Sequence, residues 1–302
     1  MRLRCLVFVF VALPLAAQTP KPRDNDLSNI QYCTGGEKRL MMDVFLPKHP
    51  IRTPTPAVLW IHGGGWDHGD KAENDGAVAL AHEGFVTASL NYRLSGNWPF
   101  PANIEDCKCA IRFLRANAAR FGIDPDRIGV AGASAGGHLA ELVAAAGPAA
   151  GLEGSGGWPD VSSRVQAAAA WYGVSDFTVG AMQFQNHTGK VVLKLFRGSE
   201  EEHPEAYRQA SPIFYVSKDG PPLLLAHGEK DDLVPFDQSV RMAEAWRKAS
   251  LPIEFIPVKN AGHNFEQVGI KPVSPSAETV NKRTIAFFKR NLAGPAQSGP
   301  KP

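Results

Sequence analysis

Four short segments carry residue types that could do covalent chemistry. Gly132-Ala133-Ser134-Ala135-Gly136 sets a serine between glycines, after the run RIGVAGA and ahead of the helical pattern AGGHLAELVAAA. A serine on a strand-to-helix turn is presented above a sheet, and the helix N-terminus favours negative charge developing beside it. His62-Gly63-Gly64-Gly65-Trp66 closes the apolar run AVLWI. Glycines let backbone N–H groups approach a substrate closely, so Gly64 and Gly65, with the amide of Ala135, are the candidate donors to an oxyanion. His227-Gly228-Glu229-Lys230-Asp231-Asp232 follows PPLLLA and supplies acids, and Gly262-His263-Asn264-Phe265 follows IEFIPV and supplies an imidazole. Together these groups could perform acyl transfer: Ser134 attacks, His263 takes and returns the proton, and a carboxylate orients the imidazole. Asp231 suits the acid best from its spacing after His227, with Asp232 and Glu229 in competition. The order serine, acid, histidine is the one that accompanies a serine on a strand–helix turn.

Other polar residues near these motifs take plainer roles. His62 precedes the glycines and is expected to order their loop, and His227 to be structural. His138, one turn into the helix after Ser134, is expected to be buried and satisfied. Tyr92 and Arg93 should pack beneath the site. Trp66 is a candidate substrate-binding residue, and Trp98 is a second aromatic that could line an acyl pocket or sit in the core.

The elements that must position these motifs alternate. Strands are expected at Leu40–Leu46, Ala57–His62, Phe85–Asn91, Arg127–Ala133, Val165–Tyr172, Pro222–His227 and Ile253–Val258, several of them continuous apolar runs suited to burial on both faces. Helical patterns occupy Ala102–Phe121, Ala135–Ala146, Asp237–Lys248 and Ala277–Asn291. The alternation implies an α/β fold: a mostly parallel, doubly wound sheet flanked by helices. Residues 174–215 interrupt it for longer than a plain loop would and are read as a small lid insertion. Gly147–Gly157 reads as a flexible surface loop.

Composition narrows the classes. Lys and Arg total 32 against 30 Asp and Glu, which gives no electrostatic footprint for nucleic acid and no polybasic membrane patch. Met1–Ala17, MRLRCLVFVFVALPLAA, has two arginines ahead of an apolar run too short to span a bilayer, then small residues. This is a signal-peptide pattern, so the protein is expected to be secreted or periplasmic, without stable membrane insertion. Residues 18–29 read as an extended lead-in, 30–293 as the catalytic domain and 294–302 as a disordered tail. An oxidising compartment would leave Cys33, Cys107 and Cys109, of which at most one pair can bond. Cys107 and Cys109 are poor partners for each other, a bond from Cys33 to either is open, and so is the alternative of three buried thiols. No ligand cluster with metal spacing is present, so neither a metal nor an organic cofactor is expected.

The chain resembles the α/β-hydrolases of the HGGG, hormone-sensitive-lipase-like esterase kind. It is most similar to the group containing bifunctional feruloyl and acetyl-xylan esterases. HGGGW (62–66), LNYRLS (90–95), IRFLRANAARFGIDPDRIGVAGASAGGHLA (111–140), HGEKDDLVP (227–235) and the GHNF segment carry the resemblance. DCKCA at 106–110 departs from it. The resemblance implies an α/β-hydrolase fold with a Ser134–His263–Asp231 triad. It implies a substrate that is a small-molecule or polysaccharide-linked ester, such as an acetyl or feruloyl ester of plant cell walls. Rival readings are a serine peptidase or lipase on the same fold, or a hydrolase-fold binding protein without catalysis.

Overall fold

The computed structural model describes residues 26–179 and 187–294. The leader-like segment, most of the lead-in, the tail from residue 295 and seven residues of the expected lid fall outside that range. Eight strands, β1 (Leu27–Gly35), β2 (Lys38–Phe45), β3 (Thr55–Ile61), β4 (Val86–Leu90), β5 (Ile123–Ala133), β6 (Ala167–Trp171), β7 (Leu223–Gly228) and β8 (Ile253–Val258), form one sheet. Its order is β1-β2-β4-β3-β5-β6-β7-β8. β2 pairs antiparallel with both β1 and β4, and the pairings from β4 through β8 are parallel. The strands expected from apolar runs all appear, with shifts at their ends. β1 was not expected, and it begins inside the stretch read as lead-in. It is an edge strand whose burial is incomplete, so its sequence LSNIQYCTG lacks a core-strand signature.

Both faces of the sheet are covered, which is why its central strands carry continuous apolar runs. Along β3, Ala57, Leu59 and Ile61 face one core while Val58 and Trp60 face the other, the period of two that a pleated strand dictates. The first core packs against α2 (Ala102–Ala116), α4 (Ala135–Ala145) and α7 (Asp237–Lys248), the second against α1 (Asp75–His82) and α8 (Ala277–Phe288). β6 is four alanines and a tryptophan, and alanine is a poor strand former by propensity. The small side chains let α4 lie close: a β-carbon on Gly137 of α4 would come within 2.6 Å of the Trp171 carbonyl oxygen.

The single helix expected over Ala102–Phe121 breaks at Asn117, giving α2 and a four-residue α3 (Ala118–Phe121). The Asn117 amide donates to the Phe113 carbonyl at 2.9 Å, a side-chain bond that competes with the helix. The DCKCA departure on α2 proves to be a set of tethers. Asp106 accepts from Arg93, and Cys109 is disulfide-bonded to Cys33 on β1, closing 76 residues of chain, while Cys107 stays a buried thiol. Lys108 is 1% exposed and reaches Glu153 at 2.8 Å; Arg112 reaches the same carboxylate at 2.7 Å. A buried ammonium needs a counter-ion. Gly147–Gly157, expected as a flexible loop, is therefore held down on α2 through Glu153.

The expected lid carries α5 (His187–Phe196), α6 (Pro204–Ala210) and a 3-10 turn, Pro212–Tyr215. Phe196 packs against Phe100, Phe177 and Tyr207. The Phe100 N–H donates to the Leu195 carbonyl at 3.0 Å. Among the described residues, no helix is long and apolar enough to cross a membrane.

Candidate active site

The motif residues converge at the C-terminal ends of the parallel strands, where open α/β sheets bind ligands. Ser134 follows β5, the glycines follow β3, Tyr172 follows β6, Asp231 follows β7 and His263 follows β8. Ser134 sits at φ 56°, ψ −121°, a conformation that side chains rarely adopt and that costs about 1–3 kcal/mol. The surroundings enforce it. The Ser134 N–H donates to the Trp171 carbonyl at 2.9 Å, and its own carbonyl accepts from the His138 N–H at 2.9 Å. Only glycine fits at 136, where a β-carbon would lie 2.1 Å from the Ile61 carbonyl oxygen.

His263 Nε2 is 2.9 Å from Ser134 Oγ, and its Nδ1 is 2.7 Å from Asp231 Oδ2. Asp231 can only accept, so Nδ1 carries the proton and Nε2 is left to accept the serine hydroxyl. Oδ1 of Asp231 accepts from the Leu233 and Val234 N–H groups at 2.9 and 2.8 Å. Burial pushes the Asp231 carboxyl up. Hydrogen bonds from His227 and His263 outweigh that and hold it well below the usual carboxylate range. Asp232 and Glu229, the competing acids, are exposed, and it is Asp231 that meets His263. Tyr172, at φ 40°, lays its ring 4.6 Å from the His263 ring. No sequence motif marked this residue, because its role comes from where β6 ends.

The glycine loop abuts the serine. Gly64 has φ 93°, and its carbonyl accepts from the N–H groups of Asp67 and His68, both at 3.0 Å, so the loop turns sharply. His62 donates from Nδ1 to the Gly63 carbonyl at 2.8 Å and stacks on Tyr92, whose hydroxyl donates to that same carbonyl at 3.1 Å. Ala135 opens α4, so its N–H is among those with no partner inside the helix. A cavity of about 640 Å³ opens onto Ser134, His263, Gly63–Gly65, Ala135 and Val191 of α5.

Trp66, read as a substrate-binding residue, contributes to the cavity wall but is 2% exposed. Its indole N–H is donated to His138 and its ring packs on Phe177, so it braces the loop more than it offers surface to a ligand. Trp98 lies away from the cavity, with the Lys38 ammonium 4.9 Å from its ring centre. Val191 was not singled out in the sequence. α5 brings it against Gly65, where a β-carbon would come within 3.3 Å of its Cγ2. Lys194 on the same helix pairs with Asp67 beside the glycines.

The sheet order and the strand–serine–helix turn define an α/β-hydrolase. Within that class the chain belongs to the BD-FAE family, whose model matches residues 42–246. Esterase LipC of Mycobacterium tuberculosis is 33% identical over 259 residues, 82% of this chain and 62% of LipC. The chain spans 62–64% of the length of the first curated relatives it matches. Among solved structures, a truncated carbohydrate esterase from gut microbiota superposes with a TM-score of 0.77 at 28% identity, covering 90% of this chain and 99% of that one. Esterase 2 of Thermogutta terrifontis with propionate bound superposes with a TM-score of 0.71 at 25% identity, covering 87% and 93%.

Proposed function

We propose that this protein is a serine carboxylic-ester hydrolase acting on short acyl esters. The reading rests above all on the hydrogen-bonded line from Ser134 Oγ through His263 to Asp231, at 2.9 and 2.7 Å, opening on one cavity. His263 Nε2 removes the hydroxyl proton as Ser134 Oγ attacks the ester carbonyl carbon. The tetrahedral oxyanion is held by the Gly64, Gly65 and Ala135 amides, and one such donor is worth about 10²–10³ in rate. His263 then returns the proton to the leaving alkoxide, and the alcohol departs, leaving an acyl-serine. Water attacks that ester with His263 again as base, which releases the acid and frees Ser134.

The short-acyl preference is supported by Val191, which stands against Gly65 beside the reacting centre, and by the propionate bound in the Thermogutta relative. A carbohydrate-linked ester, acetyl or feruloyl, is supported by the likeness to the gut carbohydrate esterase. Export, supported by the leader-like Met1–Ala17, would bring the protein to such polymers.

The test is hydrolysis by the purified protein of p-nitrophenyl esters from acetate to laurate, methyl ferulate, acetylated xylan and a proline-linked peptide amide. Each is run beside Ser134→Ala. Turnover concentrated on the short esters and absent in the variant supports the reading. Turnover of the amide alone, or activity that survives in the variant, contradicts it.

A further inference from the structure

We infer that His227 is a positioning residue for the triad acid: a second imidazole whose Nε2–H, shared with the Val234 carbonyl, faces the same Asp231 oxygen that His263 uses. The inference rests on the triad reading above and adds a component to it.

The proton's place follows from the neighbours. His227 Nε2 lies 3.2 Å from Asp231 Oδ2 and 2.9 Å from the Val234 carbonyl oxygen. Both partners only accept, so Nε2 carries the proton and its single N–H is shared, bonded to the nearer Val234 carbonyl and leaning on Asp231 Oδ2. Nδ1 lies 2.7 Å from the Ser239 hydroxyl on α7, which donates to the ring's free lone pair. The two acceptors at Nε2 thus select the tautomer of a fully buried histidine, and the Ser239 hydroxyl, which can donate or accept, follows it.

The consequence for Asp231 is a carboxylate with no spare freedom. Its Oδ1 takes two backbone N–H groups, and its Oδ2 takes His263 at 2.7 Å and His227 at 3.2 Å. Rotation of the carboxylate would disturb all four bonds. The longer bond from His227 tempers the negative charge that Oδ2 presents to His263 without replacing it. His227 also grips the Val234 carbonyl, while the Val234 N–H holds Oδ1, and Val234 lines the cavity. One ring therefore fixes both the acid and the loop that carries it to the substrate.

The titratable groups facing this pair are His263 and, packed over His263, Tyr172, with Glu266 acting on Tyr172 from the next loop. Phe236 closes the remaining side of His227 with an aromatic edge contact.

The test compares His227→Phe and His227→Gln with wild type, reading kcat and KM across pH, with Ser134→Ala as the reference. Without the second donor, Oδ2 gives its full charge to the His263 imidazolium. The acid limb of kcat/KM then moves to higher pH in His227→Phe. Its kcat falls about tenfold, the size of one lost hydrogen bond to a charged group, with KM unchanged. His227→Gln, whose amide N–H can reach Oδ2, recovers part of both effects. An acid limb in His227→Phe that coincides with wild type overturns the inference. Should His227→Phe not fold, ¹⁵N NMR of the histidine side chains in wild type decides. A proton on His227 Nε2 supports the inference and one on Nδ1 overturns it. Activity remaining in Ser134→Ala is a different outcome, which removes the triad reading itself.

Discussion

The indole N–H of Trp66 donates to Nδ1 of His138 at 2.9 Å, joining residues 72 apart in sequence. The other ring nitrogen of His138 donates to the Ala210 carbonyl at 2.8 Å. One neutral imidazole on the helix after Ser134 thereby ties together the glycine loop, the serine's helix and α6. Both of its nitrogens have partners within hydrogen-bond distance, which is how a fully buried histidine avoids an unpaired polar group.

Replacing His138 with Leu should let the glycine loop shift while Ser134 stays in place. The expected result is a loss of kcat/KM of about 10- to 100-fold, near the cost of misplacing an oxyanion donor, with Ser134 still open to covalent labelling. Steady-state kinetics on p-nitrophenyl acetate check this, and wild-type kcat/KM in the variant would show that the tie to Trp66 does not reach the chemistry.

Asp231→Asn should lower kcat by about 10³–10⁴-fold, because an amide can donate to His263 Nδ1 and favours the wrong tautomer. Asp232→Asn, on an exposed side chain, should stay within a few-fold of wild type. The reverse ranking in parallel assays moves the acid to residue 232.

Val191→Ala should shift the acyl preference toward longer chains. The side chain it trims stands over Gly65, and each methylene accommodated changes specificity by about tenfold or more. Ratios of kcat/KM for acetate, butyrate and hexanoate esters read the shift directly. An unchanged ratio would place the limit on chain length elsewhere in the cavity.

Two buried groups on α4 bend stability in opposite directions with pH. Burial pushes Glu141 up to about 8 from 4.5, although the Ser175 hydroxyl pulls the other way. Between those values the folded protein holds a proton that the unfolded chain has released, so stability falls as pH rises through that window. Burial pushes His138 down to about 4 from 6.5, partly opposed by its bond to the Ala210 carbonyl. Here the unfolded chain holds the extra proton, and stability falls as pH drops through that window. Glu141→Gln should remove the first slope, so the wild-type melting temperature declines by several degrees relative to the variant between about pH 5 and pH 8. Parallel melting curves for the two proteins across that range would speak against a neutral Glu141.

The parts legible in the sequence are those in which one local motif determines one local geometry. Ser134 could be read because its glycines and the strand–helix context permit little else, and Asp231 and His263 because each follows a recognisable apolar strand. The core strands β3 and β7 could be read because burial on both faces gives each a continuous apolar run. β1 could not, because a half-exposed edge strand has no such pattern. The cysteine pairing and the tether on Gly147–Gly157 depend on what meets across space, Cys33 against Cys109 and Glu153 against Lys108, and no spacing along the chain encodes those meetings. Trp66 shows the same boundary. Its place beside the glycines was legible, but its burial against His138 was not. Val191 and Tyr172 reach the site from elements whose placement is tertiary.

The central claim is that Ser134 is the nucleophile. Incubation with an excess of a fluorophosphonate probe, followed by peptide mass spectrometry, tests it most directly. The account predicts one probe per chain, on the peptide containing Ser134, with loss of ester hydrolysis in step with labelling and no labelling of Ser134→Ala. A fully inhibited protein with the probe on another residue, or turnover that persists once Ser134 is fully modified, would contradict it.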